Sequence, residues 1–75
     1  MKIIYEDKYI KVSLTNKRYD FIATIENKRD YQICIVVNGE EICIESNGWV
    51  GILADNNGRE LLDNLQKGNM EIMEA

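Results

Sequence analysis

Between Tyr31 and Ile44, apolar and polar positions alternate on both sides of an Asn-Gly pair, and this pattern predicts a β-hairpin whose register can be counted. Asn38-Gly39 suits a two-residue type I′ turn, which needs positive φ at both central positions and twists with the strands it joins. Pairing outward sets Val37 against Glu40, Val36 against Glu41, Ile35 against Ile42, Cys34 against Cys43 and Ile33 against Ile44. Ile33, Ile35, Val37, Ile42 and Ile44 then share one face. Gln32, Cys34, Val36, Glu41, Cys43 and Glu45 take the other, because side chains alternate along a strand.

The same period marks further strands upstream. Lys2 to Tyr5 leads through Glu6-Asp7 into Tyr9 to Thr15, where Ile10, Val12 and Leu14 alternate with Lys11 and Ser13. After a polar loop at 16–20, Phe21, Ala23 and Ile25 alternate with Ile22, Thr24 and Glu26. A strand apolar on nearly both sides fits a central place in a sheet. Asn27 to Asp30 reads as a turn into the hairpin. Trp49 to Ala54 is apolar at every position, as in a buried strand, and follows a second Asn-Gly at Asn47-Gly48.

The period then changes to that of a helix. Leu61, Leu62 and Leu65 form a stripe, with Asn57 as cap, Glu60 at capping-box spacing, Lys67 at the negative end of the dipole and Gly68 as the stop. A helix of about ten residues is too short to stand alone, so it must pack its leucines on the sheet, against Ile33, Ile35, Ile42 and Ile44. Met70, Ile72 and Met73 end the chain as a short strand or a tail. The expected fold is α+β: an antiparallel β-meander of four to six strands with one short helix packed on one face. Residues 1–75 form a single domain in this reading.

Composition narrows the chemistry. The 75 residues contain no histidine and no proline, and two cysteines. The usual general base and the usual zinc ligand are absent, and two thiols fall short of a tetrahedral zinc set. Asp55-Asn56-Asn57-Gly58 lacks the spacing of a calcium loop, whose closing glutamate would fall at Asn64. Gly48-Trp49-Val50-Gly51 lacks the third glycine of a dinucleotide fingerprint and the lysine of a phosphate loop. These absences point away from an enzyme, a cofactor or a bound metal. The short apolar run after Lys2 suits neither a signal peptide nor a membrane span, which gives a cytoplasmic expectation. Under that expectation Cys34 and Cys43, opposite each other in the hairpin, are read as free thiols.

Charge separates the two halves. The net charge is −4, and residues 38–75 hold eight acidic side chains against Arg59 and Lys67 alone. Direct nucleic-acid binding is disfavoured, because little counterion release would drive it. A basic protein is the better-matched partner. The chain is therefore expected to be a small, acidic binding protein, an inhibitor of a nucleic-acid-handling enzyme in the manner of anti-defence or immunity proteins. Glu41, Glu45, Trp49, Glu60 and Asp63 are the partner-binding candidates.

Trp49, flanked by glycines, is either a contact anchor or the largest piece of the core, and core is the commoner fate. Two alternatives stand beside the inhibitor. One is an oligomeric module, assembled through a sheet edge, that holds a nucleotide or small anion with Lys17, Arg18, Tyr19, Lys28, Arg29 and Trp49. The other is a structural or assembly component.

Overall fold

The computed structural model describes residues 2–15 and 20–74. Its elements are β1 (Lys2–Glu6), β2 (Ile10–Leu14), β3 (Phe21–Asn27), β4 (Ile33–Val37), β5 (Glu40–Ile44), β6 (Trp49–Leu53), α1 (Asn56–Gln66) and β7 (Glu71–Glu74). Every strand pairing is antiparallel and one helix packs against the strands, as expected. The helix rests chiefly on β6, with lesser contact to β1 and β4, and not mainly on the β4–β5 hairpin. The strands divide into two sheets, of order β1-β2-β3-β6 and β5-β4-β7.

Local turn chemistry sets the hairpin. Asn38 and Gly39 adopt φ of 52° and 76°, and the five pairs from Val37–Glu40 to Ile33–Ile44 are those counted from the sequence. Cys34 and Cys43 are bridged, with Cα atoms 4.0 Å apart, which corrects the expectation of free thiols. The turn places them in a non-hydrogen-bonded pair, where antiparallel backbones approach most closely. The register of the hairpin thus brings the two sulfurs within bonding distance.

Asn27 creates the junction between the sheets. Expected in a turn, it instead closes β3 and is 1% exposed. Its Nδ2 donates to the carbonyls of Tyr31 at 2.9 Å, Ile44 at 3.1 Å and Glu45 at 2.9 Å, while Oδ1 accepts from the Arg29 N–H at 2.8 Å. One buried carboxamide thus closes the 27–31 turn and ties the end of β3 to the end of β5. Such a group is costly to bury unless fully bonded, and here both of its polar atoms are engaged.

A register shift reshapes the other end of β3. Phe21 pairs with Leu53 but Ala23 pairs with Ile52, so Ile22 is an extra residue in the ladder. A bulge of this kind turns the side chains on its two flanks to opposite faces. Phe21 is therefore not on the side of Ala23 and Ile25, as strict alternation predicted, but on the other. Ile22 packs against the core instead.

The core lies where the two sheets and the helix meet. Ile10, Val12, Ala23, Ile25 and Ile52 of the large sheet, Ile33, Ile35, Val37 and Ile44 of the small one, and Leu61 and Leu65 of α1 form one buried cluster. Asp55, not Asn57, caps the helix: its Oδ1 accepts from the Gly58 N–H at 2.6 Å. The spacing of Asp55 to Gly58 supplies the cap, so the expected Asn57–Glu60 capping box does not form. Gly58 is buried so close to the Leu53 carbonyl that a Cβ there would collide with it.

At the other end Gly68 has φ of 75°. The N–H groups of Gly68 and Asn69 donate to the Leu65 and Asn64 carbonyls at 3.1 and 2.9 Å, a Schellman closure. Lys67 sits at the C-cap, its ammonium 2.9 Å from Asp63.

Candidate functional site

The large sheet has two unlike faces, and its outer one is built around Trp49. The turn 45–48 delivers this residue: Asn47 has φ of 54°, its N–H donates to the Arg29 carbonyl at 2.9 Å, and the Gly48 N–H donates to the Glu45 carbonyl at 2.9 Å. Trp49 opens β6 opposite Glu26, and its side chain is 60% exposed. This corrects the reading of Trp49 as core. Val50 and Ile52 take the inward positions of β6, so Trp49, Gly51 and Leu53 point outward.

Phe21 and Gly51 support the indole. The bulge at Ile22 puts Phe21 on the outer face, and its ring lies where a Cβ on residue 51 would stand. Only glycine leaves that space. Phe21 then meets Trp49 edge to face, with centroids 6.3 Å apart and planes at 83°, a favourable aromatic geometry. Leu53, opposite Phe21, is 52% exposed, and Ile3, at the far edge opposite Ser13, is 51% exposed. Between them run the short side chains of Ser13 and Thr24, paired across β2 and β3. Apolar side chains thus stand at both margins, and Ser13 between them is only 4% exposed.

A belt of charge crosses the same face. Glu6, Lys11, Glu26 and Trp49 are linked in one row by the strand pairings. Lys11 lies 3.4 Å from Glu26, and the Lys28 ammonium donates to Glu6 at 2.9 Å and to the Asp7 carbonyl at 2.7 Å. The Lys28 bond, then its charge, holds the Glu6 carboxyl below its usual range. At Asp7, burial opposes ionisation, but hydrogen bonds from the Ile10 N–H, Tyr5 hydroxyl and Tyr9 N–H, with Lys28 nearby, outweigh it and depress the pKa. Tyr5 is correspondingly raised, chiefly by that bond to Asp7. These groups brace the β1–β2 turn.

No protein family matches the chain. Nor does any curated protein or solved structure show significant similarity to it.

The other sequence candidates are dispersed. Glu41 stands on the outer side of the small sheet, across from Val36, and Glu45 follows β5 with its carbonyl bound by Asn27 and Gly48. Glu60 accepts a 3.5 Å contact from Asn38, and Asp63 pairs with Lys67 along the helix. None of these four joins Trp49 on its face. Of the basic candidates, Lys28 is engaged by Glu6, and Arg29 lies over the Tyr31 ring at 5.7 Å and donates to the Lys8 carbonyl at 3.3 Å. Lys17, Arg18 and Tyr19 lie outside the described residues.

A cleft of about 210 Å³ opens between β5, β6 and the start of α1, over Ile25, Ile42, Ile52 and Leu61. Its polar margin is Glu40, Asp55 and Asn57. The Asp55 carboxylate already takes the helix N-terminal N–H, and Glu40 adds negative charge, so this cleft repels anions. Among the described residues no helix is long and apolar enough to cross a membrane.

Alternation along the 49–54 run already sets Gly51 and Leu53 on one strand face with Trp49, whereas Phe21 and Ile3 are companions that only the fold supplies. Gly51 and Leu53 stand two and four residues from Trp49, the spacing of one face of a strand. The bulge at Ile22 leaves no such local trace.

Proposed function

We propose that this protein works without catalysis, by binding another protein through the outer face of β1-β2-β3-β6, with Trp49 as the anchor. The observation that carries the reading is a 60% exposed tryptophan held in place by Phe21 and Gly51. Leaving so large an apolar side chain in water forgoes the 1.5–3 kcal/mol or so that burial of a large apolar group supplies. Aromatic anchors of this kind dominate binding energy at protein interfaces. Ile3 and Leu53 extend the contact, and the ion pairs Lys11–Glu26 and Lys28–Glu6 supply a polar rim.

Net charge favours a basic partner. With −4 overall and a balance of two basic to eight acidic residues from 38 to 75, the chain attracts cationic surfaces at long range and repels nucleic acid. The partner class that fits is a nucleic-acid-handling enzyme in the cytoplasm, and the action is inhibition by occupying its basic surface.

Capture on the tagged protein, followed by native mass spectrometry, tests this. The expected result is a stoichiometric basic protein whose recovery falls with added salt and is lost with Trp49→Ala. Recovery of a homo-oligomer carrying a small molecule, or undiminished capture by Trp49→Ala, contradicts the reading.

A further inference from the structure

The outer face of the three-stranded sheet holds a row of sulfur atoms that the Trp49 face does not use. Strand register sets Cys43 of β5 opposite Cys34 of β4, and Cys34 opposite Met73 of β7. Residues directly opposite in a ladder point the same way, with Cβ atoms about 4.5–5.5 Å apart. Ile35 and Ile72, the neighbouring pair, turn toward the core, which leaves Cys34 and Met73 outward. Cys43 is exposed, Met73 is 42% exposed and Cys34 is half-buried. The sulfurs of Cys34 and Cys43 and a carboxylate oxygen of Glu41 all lie within 4.8 Å of one another.

We propose that this row, with the bridge reduced, is a binding site for monovalent copper, held by the thiolates of Cys34 and Cys43 and the thioether of Met73. The bridge keeps both cysteines from acting as ligands. A dithiol reductant opens it by giving up two electrons and two protons: the S–S bond breaks, two thiols form, and the reductant leaves as its own disulfide. Copper(I) then displaces both thiol protons, because the thiolate is the ligand.

The donor set selects the ion. Two thiolates and a thioether are soft ligands, which favour Cu(I). Zinc would need a fourth donor, the chain has no histidine, and among the described residues Glu41 is the one carboxylate grouped with the two sulfurs. The three donors stand at one level of the sheet, Cys34 on β4 between Cys43 on β5 and Met73 on β7. The occupied site answers to the redox state of the chain, independently of anything bound at Trp49.

The test is an anaerobic titration of the dithiothreitol-reduced, desalted protein with Cu(I)–bicinchoninate, read by loss of the chelate colour. One copper per reduced chain and none per bridged chain is expected, with Cys43→Ser abolishing uptake. Met73→Leu, a conservative change at an exposed position, is expected to weaken binding by about tenfold or more, since losing a ligand costs at least as much as losing an outer-shell group that orients one. Copper-edge X-ray absorption on the unmutated chain is expected to count three sulfur neighbours. Failure of the reduced chain to take copper from the chelator overturns the proposal. So does unchanged affinity in Met73→Leu, or a loss that follows Glu41→Gln instead.

Discussion

The two faces of the four-stranded sheet arise from the same alternation of residues, yet they do opposite things with apolar side chains. On the inner face Ile10, Val12, Ala23 and Ile25 are fully buried and Ile52 is 2% exposed, while on the outer face Ile3, Trp49 and Leu53 are more than half exposed. The inner face holds the molecule together. The outer one carries these apolar side chains at its margins around a buried Ser13, while the helix and the small sheet pack on the inner side. A 75-residue chain buries only about 60% of its unfolded surface, so it has little apolar material to leave uncovered without a use. That contrast is the physical basis for assigning stability to one face and recognition to the other.

Substitutions separate the two roles, beginning with those that damage the inner face most. Ile25→Ala empties a fully buried site in the middle of β3 and is expected to cost about 4 kcal/mol, read as a lowered urea midpoint. Asn27→Ala removes the bonds to the Tyr31, Ile44 and Glu45 carbonyls and from the Arg29 N–H, with Gly48 still bonded to the Glu45 carbonyl. The expected loss is about 3 kcal/mol, and native-state hydrogen exchange should show protection falling first where the two sheets join.

Gly51→Ala acts across the comparison. Its new methyl must push the Phe21 ring off β6, and since that ring is partly exposed it can swing away, at a cost of about 1 kcal/mol in thermal unfolding. Partner capture should fall much further than stability, because Trp49 loses its edge-to-face support.

Acid titration probes the turn that braces the outer face. The Asp7 carboxyl is lower in the folded than in the unfolded state, so its contribution is complete above the unfolded value, about 3.9. It is lost as pH falls through the folded value. Unfolding followed by circular dichroism below about pH 4 is expected to show this decline, and Asp7→Asn to flatten it.

How far these features were legible in the chain depends on the range of the forces that set them. Asn38-Gly39 fixed five residue pairs because a two-residue turn acts on its immediate neighbours. Gly68 ended the helix for the same reason. At the helix start two cap spacings compete in the sequence, Asn57 with Glu60 and Asp55 with the Gly58 N–H three residues on, and the second is the one that forms. The cysteine pairing followed from the register, and only an argument about the cell's redox state obscured it.

The features that make the outer face were less accessible. Asn27 looks like any turn residue until β5 is brought beside it from 17 positions away. Phe21 changes faces through an extra residue at Ile22 that no periodicity reveals. Trp49 is apolar and lies in an apolar run, so burial was the natural assignment. Its exposure follows from β6 being an edge strand whose inner positions are already taken by Val50 and Ile52.

Trp49→Ala tests the central claim most directly, with urea unfolding and partner capture measured on the same preparation. An exposed anchor predicts a stability change within about 0.5 kcal/mol together with loss of capture. A stability loss of about 3 kcal/mol or more, the range for truncating a buried tryptophan, would contradict it and return Trp49 to the core.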